Sequence, residues 1–355
     1  MYVGSTAKVL TAEGLSNPIS MDVGVLQGDT LAPFLFVVAL DRVLTRALAR
    51  HPGKGFRIQR RDGSRVPAVS ITDLDYADDI ALLAEDFASA QFLLNSIESE
   101  ARTSGLCINI SKTKVMAVGD LEGSADTLYL HGQPLERVND FRYLGSMIAA
   151  PDKDLESRIA AAHAACGQLS TLRRSLSDRD LKAKIFRATI EPVLLYGCDT
   201  WSLTSIQRKR LTSAWFKLLR WSTNTSWKDK RSNGSLLAEF KLPHPLQTVR
   251  ERFLGLIGHT IRRRVKDLER GLELTPLCRV ITWQGIAERR YSNHRGATLM
   301  RFVQRRGQGN RQTILKYCLE LLGLERSSVE DLVRLASCKE AWRARFRRLE
   351  SGVLA

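Results

Sequence analysis

Apolar residues recur in this chain with two periods, alternate positions in short runs and three-to-four-residue steps in longer ones. Beyond Pro151 only the helical step persists. Short strands are predicted over 7–11 and 18–25, around the turn-forming Glu13-Gly14 and Ser16-Asn17-Pro18. A helix follows, with Pro33 suited to its first turn. Phe34, Val37, Val38, Leu40, Leu44 and Leu48 recur at helical spacing until His51-Pro52-Gly53 ends it. Strands are predicted over 56–59, 69–75 and 80–84. A second helix spans about 86–104, with Phe87, Ala90, Leu93, Leu94 and Ile97 as its buried face and Gly105 as its stop. Further strands over 106–110, 114–118 and 141–148 complete an α+β layer, an antiparallel sheet with helices on one face. Helices over 155–176, 178–196 and 205–221, capped from Ser177-Asp178 and Thr204-Ser205, form a small bundle. A further helical module includes 245–264 and 329–349, and the Arg- and Gly-rich stretch 271–309 is assigned no structure.

At 355 residues and 44% hydrophobic content, the chain can build two or three globular units. Its longest apolar stretch, 31–40, contains Pro33 and is far too short to span a bilayer. The first ten residues lack the basic start and apolar run of a secretory signal, so an intracellular protein without a membrane partner is expected. Six cysteines without a C-x-x-C pair point to reduced, structural thiols. Charge is distributed unevenly. Residues 1–150 carry 14 Lys/Arg against 18 Asp/Glu, whereas residues 151–355 carry 40 against 20. An acidic half joined to a basic half with Arg262-Arg263-Arg264, Arg289-Arg290, Arg305-Arg306 and Arg347-Arg348 suggests a nucleic-acid partner, a solvated basic surface being the other reading.

Tyr76-Ala77-Asp78-Asp79 falls between two of the predicted strands and sets adjacent carboxylates at a tight turn. Their mutual repulsion is relieved by a divalent cation, and few hard oxygen ligands suit Mg²⁺ and nucleotidyl transfer. A solvated Asp-Asp turn is the alternative. Asp73 and Asp75, which alternate with Leu74, read as accessory charges rather than ligands. His259 reads as a packed or capping histidine, and Trp201, Trp215, Trp221 and Trp227 as core residues.

Four blocks then line up in order: Gln27-Gly28-Asp29-Thr30-Leu31-Ala32-Pro33, Tyr76-Ala77-Asp78-Asp79, Gly105 through Lys114, and Phe141-Arg142-Tyr143-Leu144-Gly145. In that order they resemble the palm blocks of reverse transcriptases, particularly those of LINE-type, non-LTR retrotransposons. Leu194 through Trp201 and Arg252 through His259 look like segments that follow the palm in that family, so the resemblance covers about residues 1–265.

The resemblance implies a partial palm over 1–150, a helical thumb over 151–232 and a basic, mainly helical extension over 233–355. It makes Asp78 and Asp79 catalytic metal ligands, with two Mg²⁺ ions expected in a complete family member. Lys112, with Lys114 as its alternative, becomes the positive group near the departing phosphates. Gln27, Gly28 and Tyr76 line the nucleotide and template pocket, and Tyr143, Leu144 and Gly145 form the primer grip. RNA template, DNA primer and deoxynucleotides are the implied partners, a separate N-terminal half is another, and the nucleus is the expected site of action. Ala32 stands where the family often has Ser. The family's fingers and a further metal-binding aspartate lie upstream of Gln27, and no segment resembling them precedes it here. RNA-directed DNA synthesis is therefore one expectation. A truncated, inactive remnant that binds RNA or primer–template duplex through its basic half is the alternative.

Overall fold

The computed structural model describes residues 4, 6–12, 14–20, 24–25, 28–49, 51–59, 69–119, 126–148, 150–201, 203–269, 318, 321–322 and 329–350. Its fold is mixed α and β, mostly helical with small sheets. The chain divides into two compact units. The first contains residues 1–115 and 123–137, and the second 116–122 and 138–355.

In the first unit, four two-residue strands open the chain: β1 (Thr6–Ala7), β2 (Leu10–Thr11), β3 (Gly14–Leu15) and β4 (Ile19–Ser20). They pair as β1 with β4 and β2 with β3, both antiparallel. Helix α1 (Ala32–Leu48) begins one residue before Pro33, whose missing N–H costs nothing in a first turn. Of the six apolar positions at helical spacing, Leu40, Leu44 and Leu48 are buried, while Phe34, Val37 and Val38 are exposed.

Strands β5 (Phe56–Gln59), β6 (Val69–Ile71), β7 (Asp73–Tyr76) and β8 (Asp79–Leu82) form two antiparallel ladders, β5 with β6 and β7 with β8. Helix α2 (Phe87–Thr103) is capped by Asp86, whose carboxylate accepts the Ser89 N–H at 2.7 Å. That bond, stronger to the charged group than to the neutral one, is the first cause holding the Asp86 carboxyl below its usual range. Helices α1 and α2 share a core of Leu40, Leu44, Ala47, Leu48, Leu93 and Ile97, against which Ile80 and Leu82 of β8 pack.

The predicted strand over 106–110 does not form. Asn109 instead organises a turn there, its carboxamide oxygen accepting the Lys112 N–H at 3.2 Å and the Ser111 hydroxyl at 2.8 Å. Strand β9 (Lys114–Val115) covers only the start of the predicted 114–118. It pairs in parallel with β12 (Glu136–Arg137), and β10 (Tyr129–Leu130) pairs with β11 (Gln133–Pro134). The expected continuous antiparallel sheet is thus a set of two-stranded ladders among the described residues.

The first hairpin of the second unit pairs β13 (Phe141–Tyr143) with β14 (Ser146–Ile148). The single helix expected over 155–176 is two, α3 (Pro151–Gln168) and α4 (Ser170–Ser175), parted at Leu169 just after Gly167. The helix expected over 178–196 is also interrupted. It runs as α5 (Arg179–Ile185), a π-helical turn (Phe186–Ile190) and α6 (Glu191–Leu194). Pro192 supplies the reason, because its ring and missing N–H forbid a regular bond one turn back and a wider turn takes up the strain. Asp178 caps α5 through its carboxylate. Helix α7 (Ser205–Ser222) starts from a reciprocal capping box between Thr204 and Gln207.

Helices α8 (Asn233–Phe240) and α9 (Pro245–Glu269) follow. A core centred on Leu155, Phe186, Leu194, Trp215 and Leu219 continues to Leu236, Leu242 and Val249. The helix expected over 329–349 is parted at Cys338 into α10 (Val329–Ser337) and α11 (Lys339–Glu350). Trp342 of α11 donates to the Leu254 carbonyl at 2.9 Å and lies so close to α9 that a Cβ at Gly258 would sit 2.5 Å from its indole nitrogen. No helix among the described residues is long and apolar enough to cross a membrane.

Candidate active site

Asp78 and Asp79 are displayed at the tip of the β7–β8 hairpin, where Tyr76 pairs with Asp79 across a two-residue turn of Ala77 and Asp78. Ala77 sits at φ 56°, whereas Asp78 is not in the left-handed region, the pattern of a II′-type hairpin turn. Glycine is the usual occupant of that first position, and Ala there stores roughly 1–2 kcal/mol of backbone strain. Nothing in the Tyr-Ala-Asp-Asp spelling announced this. All four residues are exposed.

Strand alternation sorts the neighbouring charges. Asp75 is opposite Ile80 and Asp73 is opposite Leu82, so both acids share the face on which those two residues pack toward α1 and α2. Tyr76 and Asp79 share the other face. The accessory aspartates therefore point toward the helical layer, where Asp41 of α1 adds its charge. The Asp75 carboxyl is pushed up to about 7, first by partial burial, then by its hydrogen bond to Asp73, and then by the charges of Asp73 and Asp41.

This shift has a sign. A carboxyl whose folded value lies above its unfolded one keeps a proton that the unfolded chain releases, so stability falls as pH rises from about 4 to about 7. Asp75→Asn is expected to raise the melting temperature at pH 8 and to leave it unchanged below pH 4. Equal effects at both pH values in a thermal-melting series would show that the pair does not share a proton.

Gln27 lies outside the described residues. Gly28 precedes α1 by a turn rather than starting it: Leu31 N–H donates to Asp29 Oδ1 at 3.0 Å and Ala32 N–H to the Asp29 carbonyl at 3.3 Å. Gly28 has φ 92°, a conformation that disfavours any side chain, with no atom within 4 Å of where a Cβ would be. Lys112 is exposed, while Lys114, its alternative, is half-buried and paired with Glu136. Tyr143, Leu144 and Gly145 lie in the second unit, at the turn of the β13–β14 hairpin.

Of the remaining expectations, His259 is exposed on α9 rather than packed, Trp201 and Trp215 are core residues, and Trp221 is partly exposed. The side chain of Trp227 lies outside the described residues. None of the five described cysteines forms a disulfide among the described residues, and burial pushes the Cys198 thiol up to about 11 and the Cys318 thiol up to about 12, which keeps those two protonated and inert.

Mg²⁺ takes one or two protein carboxylates and completes its octahedron with water and phosphate oxygens. Two exposed, adjacent aspartates on a core-anchored hairpin fit that demand in donor type and in access. Among the described residues no group of three or more His, Cys, Asp or Glu is arranged to hold a metal ion, so the fit is to a pair of protein ligands.

Residues 6–148 match the family described as reverse transcriptase (RNA-dependent DNA polymerase). A transposon-derived protein of Caenorhabditis elegans is 28% identical over 214 residues, covering 56% of this chain and 75% of that protein. A Pol polyprotein of the type-1 retrotransposable element R2 from Popillia japonica is 28% identical over 202 residues, covering 54% of this chain and 30% of its own length. A 115 kDa protein of the R1DM element of Drosophila melanogaster is 28% identical over 227 residues, 60% of this chain and 20% of that protein. The chain spans less than a third of the length of these two retroelement proteins. Residues 6–148 are thus similar to the reverse-transcriptase family, and a longer stretch of the chain is similar to proteins of type-1 retrotransposable elements.

Proposed function

We propose that this chain engages a primed RNA template and supports RNA-directed DNA synthesis, with Asp78 and Asp79 as its metal-bearing pair. The observation that carries the reading is the hairpin turn that presents both carboxylates to solvent, while Ile80 and Leu82 of the same strand anchor it in the core. Bound by this pair, Mg²⁺ supplies charge neutralisation at the phosphates being exchanged.

The other assignments follow from that centre. Residues 1–150 act as palm, 151–232 as thumb and 233–355 as a basic extension on nucleic acid. Gln27, Gly28 and Tyr76 border the nucleotide and template. Lys112, exposed where Lys114 is ion-paired, faces the departing pyrophosphate. Tyr143, Leu144 and Gly145 hold the primer end. The excess of Lys and Arg over Asp and Glu in residues 151–355 also favours a second reading, in which the chain grips duplex without copying it.

One experiment separates the two. The full chain is given a labelled DNA primer on an RNA template with deoxynucleotides, with Mg²⁺ or with chelator, and binding is followed in parallel across a salt series. Extension that requires Mg²⁺ supports synthesis. Duplex binding that weakens steeply with salt, without any extension, overturns it in favour of the binding reading.

A further inference from the structure

The turn of the β13–β14 hairpin is held from outside with unusual completeness. Leu144 has φ 47° and Gly145 φ 84°, so both central residues are left-handed, and Leu144 does so against the preference of a branched side chain. Both of their carbonyls are taken by side chains distant in sequence. Tyr196 Oη donates to the Leu144 carbonyl at 2.9 Å, and Arg158 Nη2 donates to the Gly145 carbonyl. The Arg158 guanidinium lies over the Tyr196 ring, 4.4 Å from its centroid, so the two donors brace each other.

Below the turn, Asp154, only 3% exposed, accepts the Met147 N–H at 3.1 Å and the Trp201 indole N–H at 2.9 Å. Its Oδ1 lies 3.8 Å from Arg158 Nε. Space is equally constrained. A Cβ at Gly145 would meet the Tyr196 ring at 3.2 Å, and one at Gly197, itself at φ 69°, would meet Ser146 Oγ at 2.7 Å. Strained backbone of this kind persists only where its surroundings over-determine it, and such places are characteristically ligand clamps.

We infer that Asp154, Arg158 and Tyr196 are positioning residues that lock the Leu144-Gly145 turn in the one geometry able to seat a recessed primer 3′ end. The inference rests on the reading of this hairpin as the primer grip. The three residues act through the backbone of the turn and need no contact of their own with the primer. Asp154 and Arg158 are spaced i, i+4 on α3, so one helix face supplies both the anchor of β14 and the donor to the turn. Tyr196 closes the turn from the segment after α6.

The test uses the full chain and two variants, Tyr196→Phe, which removes only the hydroxyl, and Arg158→Gln. Hydrogen exchange is read at the amides of residues 141–148. Anisotropy measures binding to a DNA–RNA duplex with a recessed primer 3′ end and to a blunt duplex of the same length. Faster hairpin exchange is expected, with affinity for the recessed duplex reduced roughly three- to tenfold, the worth of one hydrogen bond, and blunt-duplex affinity unchanged. A merely structural role would lower both affinities together, and that result overturns the proposal. Unchanged exchange in both variants shows that the clamp does not hold the turn, which also overturns it. No preference for the recessed duplex in the wild-type chain, together with quicker hairpin exchange in the variants, overturns the primer-grip reading and the inference with it.

Discussion

Asp78→Asn is expected to lower Mg²⁺-dependent primer extension by roughly 10³-fold, about 4 kcal/mol of lost transition-state stabilisation, while the chain stays folded. Asn keeps the size and the turn-forming habit of Asp but loses the negative charge, so the ion's affinity falls and the hairpin survives. Asp78 is exposed and lies outside the core that anchors β8, so its melting temperature should match that of the wild type. The comparison with Asp75→Asn makes the result specific. Asp75 lies three residues before it, on β7, and shares the face on which Ile80 packs toward α1 and α2, so its replacement should alter the pH dependence of stability and leave extension intact. Single-turnover extension with each variant measures both. Retained extension in Asp78→Asn, or equal losses in the two variants, would sink the assignment of Asp78 as the principal metal ligand.

Why the hairpin was readable and its surroundings were not is a matter of where the determinants reside. The Asp-Asp turn, the caps at Asp86, Asp178 and Thr204, and the extents of α1, α2 and α7 depend on residues within a few positions of one another, and their chemistry is visible locally. Two of the two-residue ladders of the first unit, β1 with β4 and β9 with β12, depend instead on partners a dozen or more positions away. Lys114–Val115, for example, becomes a strand only because Glu136–Arg137 comes to lie beside it. Alternation placed Asp73 and Asp75 together, but which face met the helices was settled by Ile80 and Leu82 across the ladder.

The clamp on the Leu144-Gly145 turn shows the same limit at the level of the site. The spelling of the primer-grip block carries the two turn residues and nothing of what fixes them. Asp154 and Arg158 could have been noticed as an acid and a base one helical turn apart, yet most such pairs are surface ion pairs worth little. Their burial, at 3% and 9% exposure, sets them apart, and burial is a property of the fold. Pro192 did carry a local signal of interruption, and the break it caused was the π-helical turn that places Glu191 under Trp215.

That last pair gives the largest stability effect. Trp215 is fully buried, edge-on to Phe186 and Phe216 with centroids 5.2 Å and 4.9 Å away, and its indole donates to Glu191 Oε1 at 3.1 Å. Trp215→Ala is expected to destabilise the second unit by about 3–5 kcal/mol, through a cavity at the centre of its core and a buried carboxylate left without that donor. Trp215→Phe separates the two contributions in large part, since it keeps an aromatic ring and much of the packing while removing the donor; the small cavity it leaves adds a cost that does not depend on pH. Burial already pushes the Glu191 carboxyl up, against the Trp215 hydrogen bond and the charges of Arg187 and Arg252, which pull it down. Losing the donor lets it rise further. A folded value above the unfolded one means stability is lost as pH rises between them, and in Trp215→Phe that interval extends to higher pH. The gap in melting temperature between wild type and Trp215→Phe should therefore widen from pH 4 to pH 8. A gap that is the same at every pH would mean that the indole N–H serves only to satisfy its own burial and does nothing for the charge of Glu191.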